Sequence, residues 1–325
     1  MAGPAGKQRR LSHPRSRSAP RRRAANANRA RNRACNAPSL RPAGPGPALA
    51  PLPCTFFHPP SMIGTIEAFS PRDTRARRSD PTAPGPAAHS RAREFAPGLL
   101  VQGIAPPLSL SSYKLIAFDM DSTLINIECV DEIADAAGRK AEVAAITEAA
   151  MQGLVTDYKE SLRQRVALLK GVTVQRMQQL LTERLRLNPG AKELVTAVKA
   201  AGLRTLLVSG GFSFFADHVR AILGIDFARS NRLELDNGQL TGRMLEQTWG
   251  DLCDGAEKRR TLLELASLMG ISPAQTIAVG DGANDLPMMA AAGLSVAYHA
   301  KPAVRAQAKV AINQGGLDRL LEVLH

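Results

Sequence analysis

Short apolar runs alternate with longer segments of helical periodicity over much of the chain. The runs occupy residues 114–118, 203–208, 276–279 and 294–297. Two of the segments between them, 190–201 and 255–269, have helical spacing, and each ends at a glycine. Alternation of this kind is typical of a parallel sheet covered by helices. The pattern therefore predicts an α/β fold built on a parallel sheet.

One region interrupts this alternation. Residues 128–187 contain no strand-like run, and helical segments are predicted instead at 128–137, 140–152, 157–170 and 173–185. We interpret them as a small helical cap inserted after the first strand. A second irregularity is the stretch 231–242, which alternates around Asp236-Asn237-Gly238 and therefore predicts a β-hairpin.

The charge of the chain is concentrated at its beginning. The formal net charge is +13, but residues 1–95 hold 18 of the 42 basic residues and only 4 of the 29 acidic ones. The remainder is nearly neutral, with 24 basic against 25 acidic residues. Residues 1–96 also lack hydrophobic periodicity, so we expect a disordered tail rich in Arg, Pro and Ala.

Three interpretations of the tail remain open. It could bind nucleic acid or another acidic surface through its arginines. It could be a transit peptide, because it is rich in arginine and poor in acids. It could also be absent from the mature protein, since its Arg, Ala, Pro and Gly bias is typical of translated GC-rich DNA.

No run is long and apolar enough to span a membrane, so we expect no membrane partner and a cytoplasmic location. None of the four cysteines forms a CxxC pair, which indicates buried free thiols in a reducing compartment.

Polar residues follow the predicted strands at their carboxyl ends, where open parallel sheets bind ligands. Asp119, Asp121 and Thr123 follow the first strand, and Ser209-Gly210-Gly211 follows the second. The segment Gly280-Asp281-Gly282-Ala283-Asn284-Asp285 follows the third, and Lys258 lies near the start of the helix that precedes it.

These residue types favour phosphoryl transfer. Clustered carboxylates repel one another, and a hard divalent cation such as Mg²⁺ relieves that repulsion; Asp119, Asp281 and Asp285 are the candidates. Ser209, two glycine amides and Lys258 offer donors to an anion. In such a site one carboxylate attacks phosphorus, and a second one protonates the leaving alkoxide and then activates water. We assign Asp119 as the nucleophile and Asp121 as the proton donor.

The same stretches resemble a known superfamily. Phe118-Asp119-Met120-Asp121-Ser122-Thr123 matches the D-x-D-x-T signature of the haloacid-dehalogenase hydrolases. Val208-Ser209-Gly210-Gly211, Lys258 and Gly280–Asp285 resemble its second, third and fourth motifs in order. From about Leu100 to the C-terminus, the sequence is similar to the phosphoserine phosphatases of that superfamily. The resemblance implies a Rossmann-like core over residues 97–127 and 188–325, a cap over 128–187, and a fold to which the tail does not belong.

The resemblance also implies residue roles. Mg²⁺ would be held by the carboxylates of Asp119 and Asp281 and by the main-chain carbonyl of Asp121. Asp285 would orient a water molecule on the metal. The phosphate would be bound by Ser209, Gly210, Lys258 and Asn284. The substrate would be O-phospho-L-serine, hydrolysed to L-serine and phosphate as the last step of L-serine biosynthesis.

The cap would recognise the serine part of the substrate. Glu128 would face the ammonium group, Arg165 would pair with the carboxylate, and Met151 would line the pocket, with Tyr158 as a further candidate. The chain departs from many bacterial relatives because residues 1–95 do not resemble their regulatory domain, so regulation by serine through such a domain is not expected.

Three alternatives remain. The first is a phosphatase or phosphotransferase of the same superfamily that acts on another small phosphomonoester. The second is a receiver-like signalling domain, which the second acid at Asp121 and the predicted cap disfavour. The third is nucleic-acid binding, which rests on the basic tail alone. The sequence leaves the oligomeric state open.

Overall fold

The computed structural model describes residues 92–151, 157–247 and 250–325, without the side chains of residues 150 and 151. Its strands are β1 (Arg93–Ala96), β2 (Leu99–Val101), β3 (Leu115–Phe118), β4 (Arg204–Phe212), β5 (Phe227–Asn231), β6 (Leu233–Asp236), β7 (Gln239–Met244), β8 (Thr276–Gly280), β9 (Leu294–Tyr298) and β10 (Val310–Ile312). Its α-helices are α1 (Cys129–Ala136), α2 (Lys140–Met151), α3 (Tyr158–Ala167), α4 (Val174–Glu183), α5 (Ala191–Ala200), α6 (Ser213–Leu223), α7 (Gly255–Leu268), α8 (Leu286–Ala291) and α9 (Pro302–Arg305).

In this part of the chain, eight strands form one mostly parallel sheet. Their order is β1-β2-β10-β9-β8-β3-β4-β5, and the six strands from β10 to β5 run parallel to one another. The pairs β1–β2 and β2–β10 are antiparallel. The predicted α/β fold with a parallel sheet is therefore confirmed.

The central strands are continuous apolar stretches of sequence, and they are therefore buried in the middle of the sheet. Every residue of β3, β8 and β9 is buried, as expected for strands that helices cover on both faces. The side chains of successive residues point to opposite faces, so Ile116 and Phe118 belong to one hydrophobic cluster and Leu115 and Ala117 to another. The core thus lies on both sides of the sheet.

Helices α1–α4 occupy the range in which the cap was predicted. Two of them begin at a side-chain cap: Asp157 accepts a hydrogen bond from the amide of Lys159, and Thr173 accepts one from the amide of Arg176. The β6–β7 hairpin turns at Asn237 and Gly238, both with positive φ, which confirms the hairpin predicted there.

The hairpin packs on the cap helices rather than extending the main sheet. Strand β7 contacts α3. The amide of Gly171 donates to the carbonyl of Leu240 at 2.8 Å, and the amide of Leu240 donates to the carbonyl of Val172 at 2.9 Å. The cap is therefore built from two separate stretches of the chain, which the sequence did not indicate.

The N-terminal boundary requires a correction. The predicted tail extended to residue 96, whereas residues 93–101 form the β1–β2 hairpin, with Gly98 at φ 71° in its turn. Strand β2 pairs with β10, and Leu99 and Val101 are buried, so the hairpin completes one edge of the sheet. Residues 1–91, which make up most of the predicted tail, lie outside the described part of the chain. Every helix among the described residues is too short or too polar to cross a membrane.

Candidate active site

The polar segments that follow β3 and β8 meet the polar end of β4 at one edge of the sheet. Phe118, the last residue of β3, pairs with Leu207 of β4 and with Val279 of β8. The next residue, Asp119, is fixed by its amide, which donates to the carbonyl of Val279 at 2.9 Å. The register of the sheet therefore brings together residues that are more than 150 positions apart in the chain.

Lys258 lies beneath this edge, in the first turn of α7. The helix begins after Asp254, whose carboxylate accepts a hydrogen bond from the amide of Glu257 at 2.8 Å. The Lys258 side chain is fully buried, and its Nζ lies 2.7 Å from Oδ1 of both Asp119 and Asp285. Burial disfavours the ammonium, but these two carboxylates outweigh it and raise the pKa of Lys258 well above its usual value.

Asp119, Asp281 and Asp285 each offer a carboxylate oxygen, and these oxygens lie within 4.8 Å of one another. Thr123 orients Asp281 by donating to its Oδ1 at 3.0 Å. Oδ2 of Asp285 accepts hydrogen bonds from the amides of Asp281 and Gly282 at 3.1 Å each. Gly280 is required here, because a Cβ at that position would lie 2.3 Å from the same oxygen.

This arrangement fits a divalent cation. Burial and the nearby charge of Asp285 raise the pKa of Asp281 to about 6, and the same two causes raise the pKa of Asp119 well above its usual value. The ionised form of these carboxylates is therefore disfavoured, and a bound cation would stabilise it. All three ligand atoms are oxygens, which suits a hard cation rather than zinc or copper.

Asp121 does not belong to this carboxylate group. Its Oδ2 accepts a hydrogen bond from the amide of Cys129 at 3.1 Å, and its Oδ1 accepts one from the Cys129 thiol at 3.0 Å. Burial and the adjacent charge of Glu128 raise the pKa of Asp121 to about 7. A carboxyl group with this pKa exchanges a proton near neutral pH, as a general acid and base must.

The segment predicted to bind an anion continues the second strand instead of following it. Strand β4 extends to Phe212 with an irregular register after Val208. Oγ of Ser209 accepts a hydrogen bond from the amide of Gly211 at 2.8 Å. Asn231 anchors the segment from the neighbouring strand, because its Nδ2 donates to the carbonyl of Gly210 at 2.8 Å.

A small cavity of about 90 Å³ joins these groups. Its walls include the two acids of the D-x-D motif and residues of both the core and the cap: Asp119, Asp121, Glu128, Tyr158, Arg165, Ser209, Gly210, Gly211, Asp281 and Asn284. Tyr158 closes one side, since a Cβ on Gly210 would lie 2.3 Å from its hydroxyl. A cavity of this size suits a small molecule rather than a macromolecule.

Glu128 and Arg165 provide opposite charges on the cap side of the cavity. Ser122 donates to Oε1 of Glu128 at 2.6 Å, from a backbone with φ 55° that residues other than glycine seldom adopt. The Nε of Arg165 donates to the carbonyl of Ser161 at 3.3 Å. No carboxylate in the described ranges forms an ion pair with Arg165, so its guanidinium retains donors for a ligand.

The described residues place most of the predicted site together. Lys258 and Asp285 lie behind the cavity wall, where Nζ of Lys258 contacts both Asp119 and Asp285. Met151 ends α2, and its side chain lies outside what the structure describes. Sequence reasoning missed Cys129, Ser122 and Asn231, which hold Asp121, Glu128 and Gly210 respectively.

Comparison with known proteins identifies the family. The family model of the haloacid dehalogenase-like hydrolases matches residues 116–290. The chain belongs to this family. The match contains every candidate residue of the site from Asp119 to Asp285, and it leaves the β1–β2 hairpin and strands β9 and β10 outside.

Two relatives with high sequence identity are phosphoserine phosphatases. The phosphoserine phosphatase of Albidiferax ferrireducens is 72% identical over 229 residues, which are 70% of this chain and 97% of that protein. The one from a Polaromonas species is 71% identical over 231 residues, 71% of this chain and 98% of that protein. A solved structure described as a phospho-aspartyl intermediate analogue of phosphoserine phosphatase matches with a TM-score of 0.60 and 38% identity, covering 66% of this chain and 99% of the other.

Proposed function

We propose that this chain is a Mg²⁺-dependent phosphoserine phosphatase that hydrolyses O-phospho-L-serine to L-serine and phosphate through an aspartyl-phosphate intermediate. One observation carries the proposal: a single small cavity holds the acid pair Asp119 and Asp121 together with the opposite charges of Glu128 and Arg165. The first pair suits phosphoester chemistry, and the second suits the ammonium and carboxylate of an amino acid. The similarity to phosphoserine phosphatases supports the same substrate.

Asp119 is the proposed nucleophile. Its Oδ1 is held by the amide of Met120 and by Nζ of Lys258, both at 2.7 Å. In the first step, one carboxylate oxygen forms a bond to phosphorus while the bond from phosphorus to the serine oxygen breaks. The buried ammonium of Lys258, together with Ser209 and the amide of Gly210, would stabilise the charge on the phosphoryl oxygens.

Asp121 is the proposed acid and then the base. With a pKa of about 7, its carboxyl group can hold a proton at neutral pH and transfer it to the leaving serine oxygen. The resulting carboxylate then accepts a proton from the water that attacks the aspartyl phosphate. That second step releases inorganic phosphate and regenerates Asp119 as a carboxylate and Asp121 as an acid.

Asp119, Asp281 and the main-chain carbonyl of Asp121 are the proposed ligands of Mg²⁺, and Asp285 would bind through a water molecule. When bound, Mg²⁺ would neutralise the clustered carboxylates and polarise the phosphoryl group. Thr123 and the amides of Asp281 and Gly282 orient these carboxylates through the hydrogen bonds described above.

Recognition of serine is assigned to the cap. Glu128, which Ser122 holds by a hydrogen bond, would bind the ammonium group, and Arg165 would bind the carboxylate. Asn284 would contact the phosphate, and Met151 and Tyr158 would enclose the ligand. In this proposal the core comprises residues 97–127 and 188–325 and the cap residues 128–187, to which the β6–β7 hairpin is added. The reaction would be the last step of L-serine biosynthesis in the cytoplasm.

Phosphate release from a panel of substrates tests the proposal. The full-length protein is incubated with Mg²⁺ and L-phosphoserine, phosphothreonine or several sugar phosphates, with Asp119→Asn as the inactive control. Strong preference for L-phosphoserine is the expected result. Activity on sugar phosphates without activity on phosphoserine would retain the aspartyl-phosphate chemistry and overturn the roles given to Glu128 and Arg165.

A further inference from the structure

Cys129 makes two hydrogen bonds to the carboxyl group of Asp121. Its thiol donates to Oδ1 at 3.0 Å, and its main-chain amide donates to Oδ2 at 3.1 Å. The Cys129 side chain is fully buried. One residue therefore contacts both oxygens of the proposed proton donor.

The thiol is able to act as a lasting donor. Its Sγ lies 3.0 Å from Oδ1 of Asp121, and a carboxylate oxygen only accepts, so the thiol is the donor in this contact. Cys129 is also the first residue of α1, which fixes its backbone at the start of a helix. A side chain at this position is held by the fold and has little freedom to turn away.

Two hydrogen bonds, one to each oxygen, restrict rotation of the Asp121 carboxyl group more than a single hydrogen bond would. The torsion that rotates a carboxyl plane has a broad, shallow energy profile, so a single hydrogen bond to one oxygen leaves that plane free to turn. The second contact, from the thiol, removes this freedom. Proton transfer requires the carboxyl group to lie within hydrogen-bond reach of the leaving oxygen, so its orientation affects the rate.

We propose that Cys129 is a positioning residue that holds the carboxyl group of Asp121 in the orientation from which it protonates the leaving alkoxide. This inference rests on the proposed role of Asp121 as the proton donor. It also gives the start of α1 two functions, because Glu128 immediately precedes Cys129 and faces the same cavity. Recognition of the substrate and orientation of the acid would then depend on consecutive residues.

The test compares two leaving groups in full-length protein. The serine oxygen needs a proton as it departs, whereas the nitrophenolate of p-nitrophenyl phosphate is stable without one. The quantity to measure is kcat/KM, because it reports the steps up to formation of the aspartyl phosphate and excludes the later attack by water. For Cys129→Ala, we expect kcat/KM to fall about tenfold with phosphoserine and by less than about twofold with p-nitrophenyl phosphate.

Conservative replacement and a matched cysteine separate positioning from a general structural role. Cys129→Ser retains a donor at the same place and is expected to restore most of the activity with phosphoserine. Cys253 is the matched control, because its thiol is equally buried and has no hydrogen bond to a carboxylate among the described residues. Cys253→Ala is expected to leave the ratio of the two kcat/KM values unchanged.

Equal losses on both substrates in Cys129→Ala, or failure of Cys129→Ser to restore the ratio, would overturn the inference. Thermal melting of each variant accompanies the kinetics, and if Cys129→Ala does not fold, the comparison is made with Cys129→Val, which keeps the volume and lacks the donor. Should the wild-type protein hydrolyse a different alkyl phosphate, the proposed substrate is wrong, and the same ratio is measured with that ester.

Discussion

Replacing Lys258 with methionine would remove the cation between two buried carboxylates. The Lys258 side chain has no exposed surface, and its Nζ lies 2.7 Å from both Asp119 and Asp285. Methionine approximates the length of the lysine stem, so the substitution removes charge with little change in packing. We expect the metal-free variant to fold with a clearly lower free energy of unfolding than the wild type.

The magnitude follows from burial. Breaking a buried ion pair by removing one partner costs about 3–5 kcal/mol, because the remaining charge is left uncompensated. The pKa of Asp119 is already above its usual value, so without Lys258 the folded protein takes up a proton more readily than the unfolded chain. The stability of the variant therefore increases as the pH falls, and the loss relative to wild type is larger at about pH 8 than at about pH 5.5.

Urea unfolding followed by circular dichroism, with EDTA present, measures the loss at both pH values. Lys199→Met is the matched control: Nζ of Lys199 lies 3.4 Å from Asp226, but its side chain is about one third exposed. That control should lose less than about 1 kcal/mol. Similar losses in the two variants, or a loss for Lys258→Met that does not depend on pH, would refute the reasoning from burial.

Three further predictions concern catalysis. Asp119→Asn should lower phosphate release from phosphoserine more than about a thousandfold, since an amide does not attack phosphorus; near-normal release would exclude the nucleophile assignment. Arg165→Ala should lower kcat/KM about a hundredfold for phosphoserine and less than about threefold for p-nitrophenyl phosphate, while the exposed Arg163→Ala changes neither; equal losses in Arg165→Ala would remove it from substrate recognition. In the proposed mechanism protonated Asp121 is the active form, and burial beside Glu128 raises its pKa to about 7, so kcat/KM for phosphoserine should decline above that pH and vary less for the aryl ester; a decline that begins near pH 4 would contradict the assignment.

The central sheet could be predicted because its strands carry the strongest sequence signal. The runs at 114–118, 203–208, 276–279 and 294–297 correspond to β3, β4, β8 and β9. Strand β5 was missed because it lies at the edge of the sheet and its residues are partly exposed and polar. The three-residue strands β2 and β10 are too short to show a period.

The candidate site was predictable where a residue's position follows from strand order. Asp119 and Asp281 follow the adjacent strands β3 and β8, and Ser209 lies in the neighbouring strand β4, so their proximity results from the topology alone. The hydrogen bonds that hold the site residues in place depend on the direction in which side chains point from turns. The sequence pattern does not predict that direction. Cys129 is eight positions from Asp121, and nothing in its spacing distinguishes it from an ordinary buried thiol.

The two-part construction of the cap affects how the protein can be synthesised and engineered. Helices α1–α4 leave the ribosome before β4 and β5, and the β6–β7 hairpin follows roughly fifty residues after α4 ends. Until then, the face of α3 that contacts β7 has no covering partner from the hairpin. The cap therefore completes its packing only after half of the parallel sheet has been made. A chimera that exchanges caps between relatives would have to transfer both stretches together.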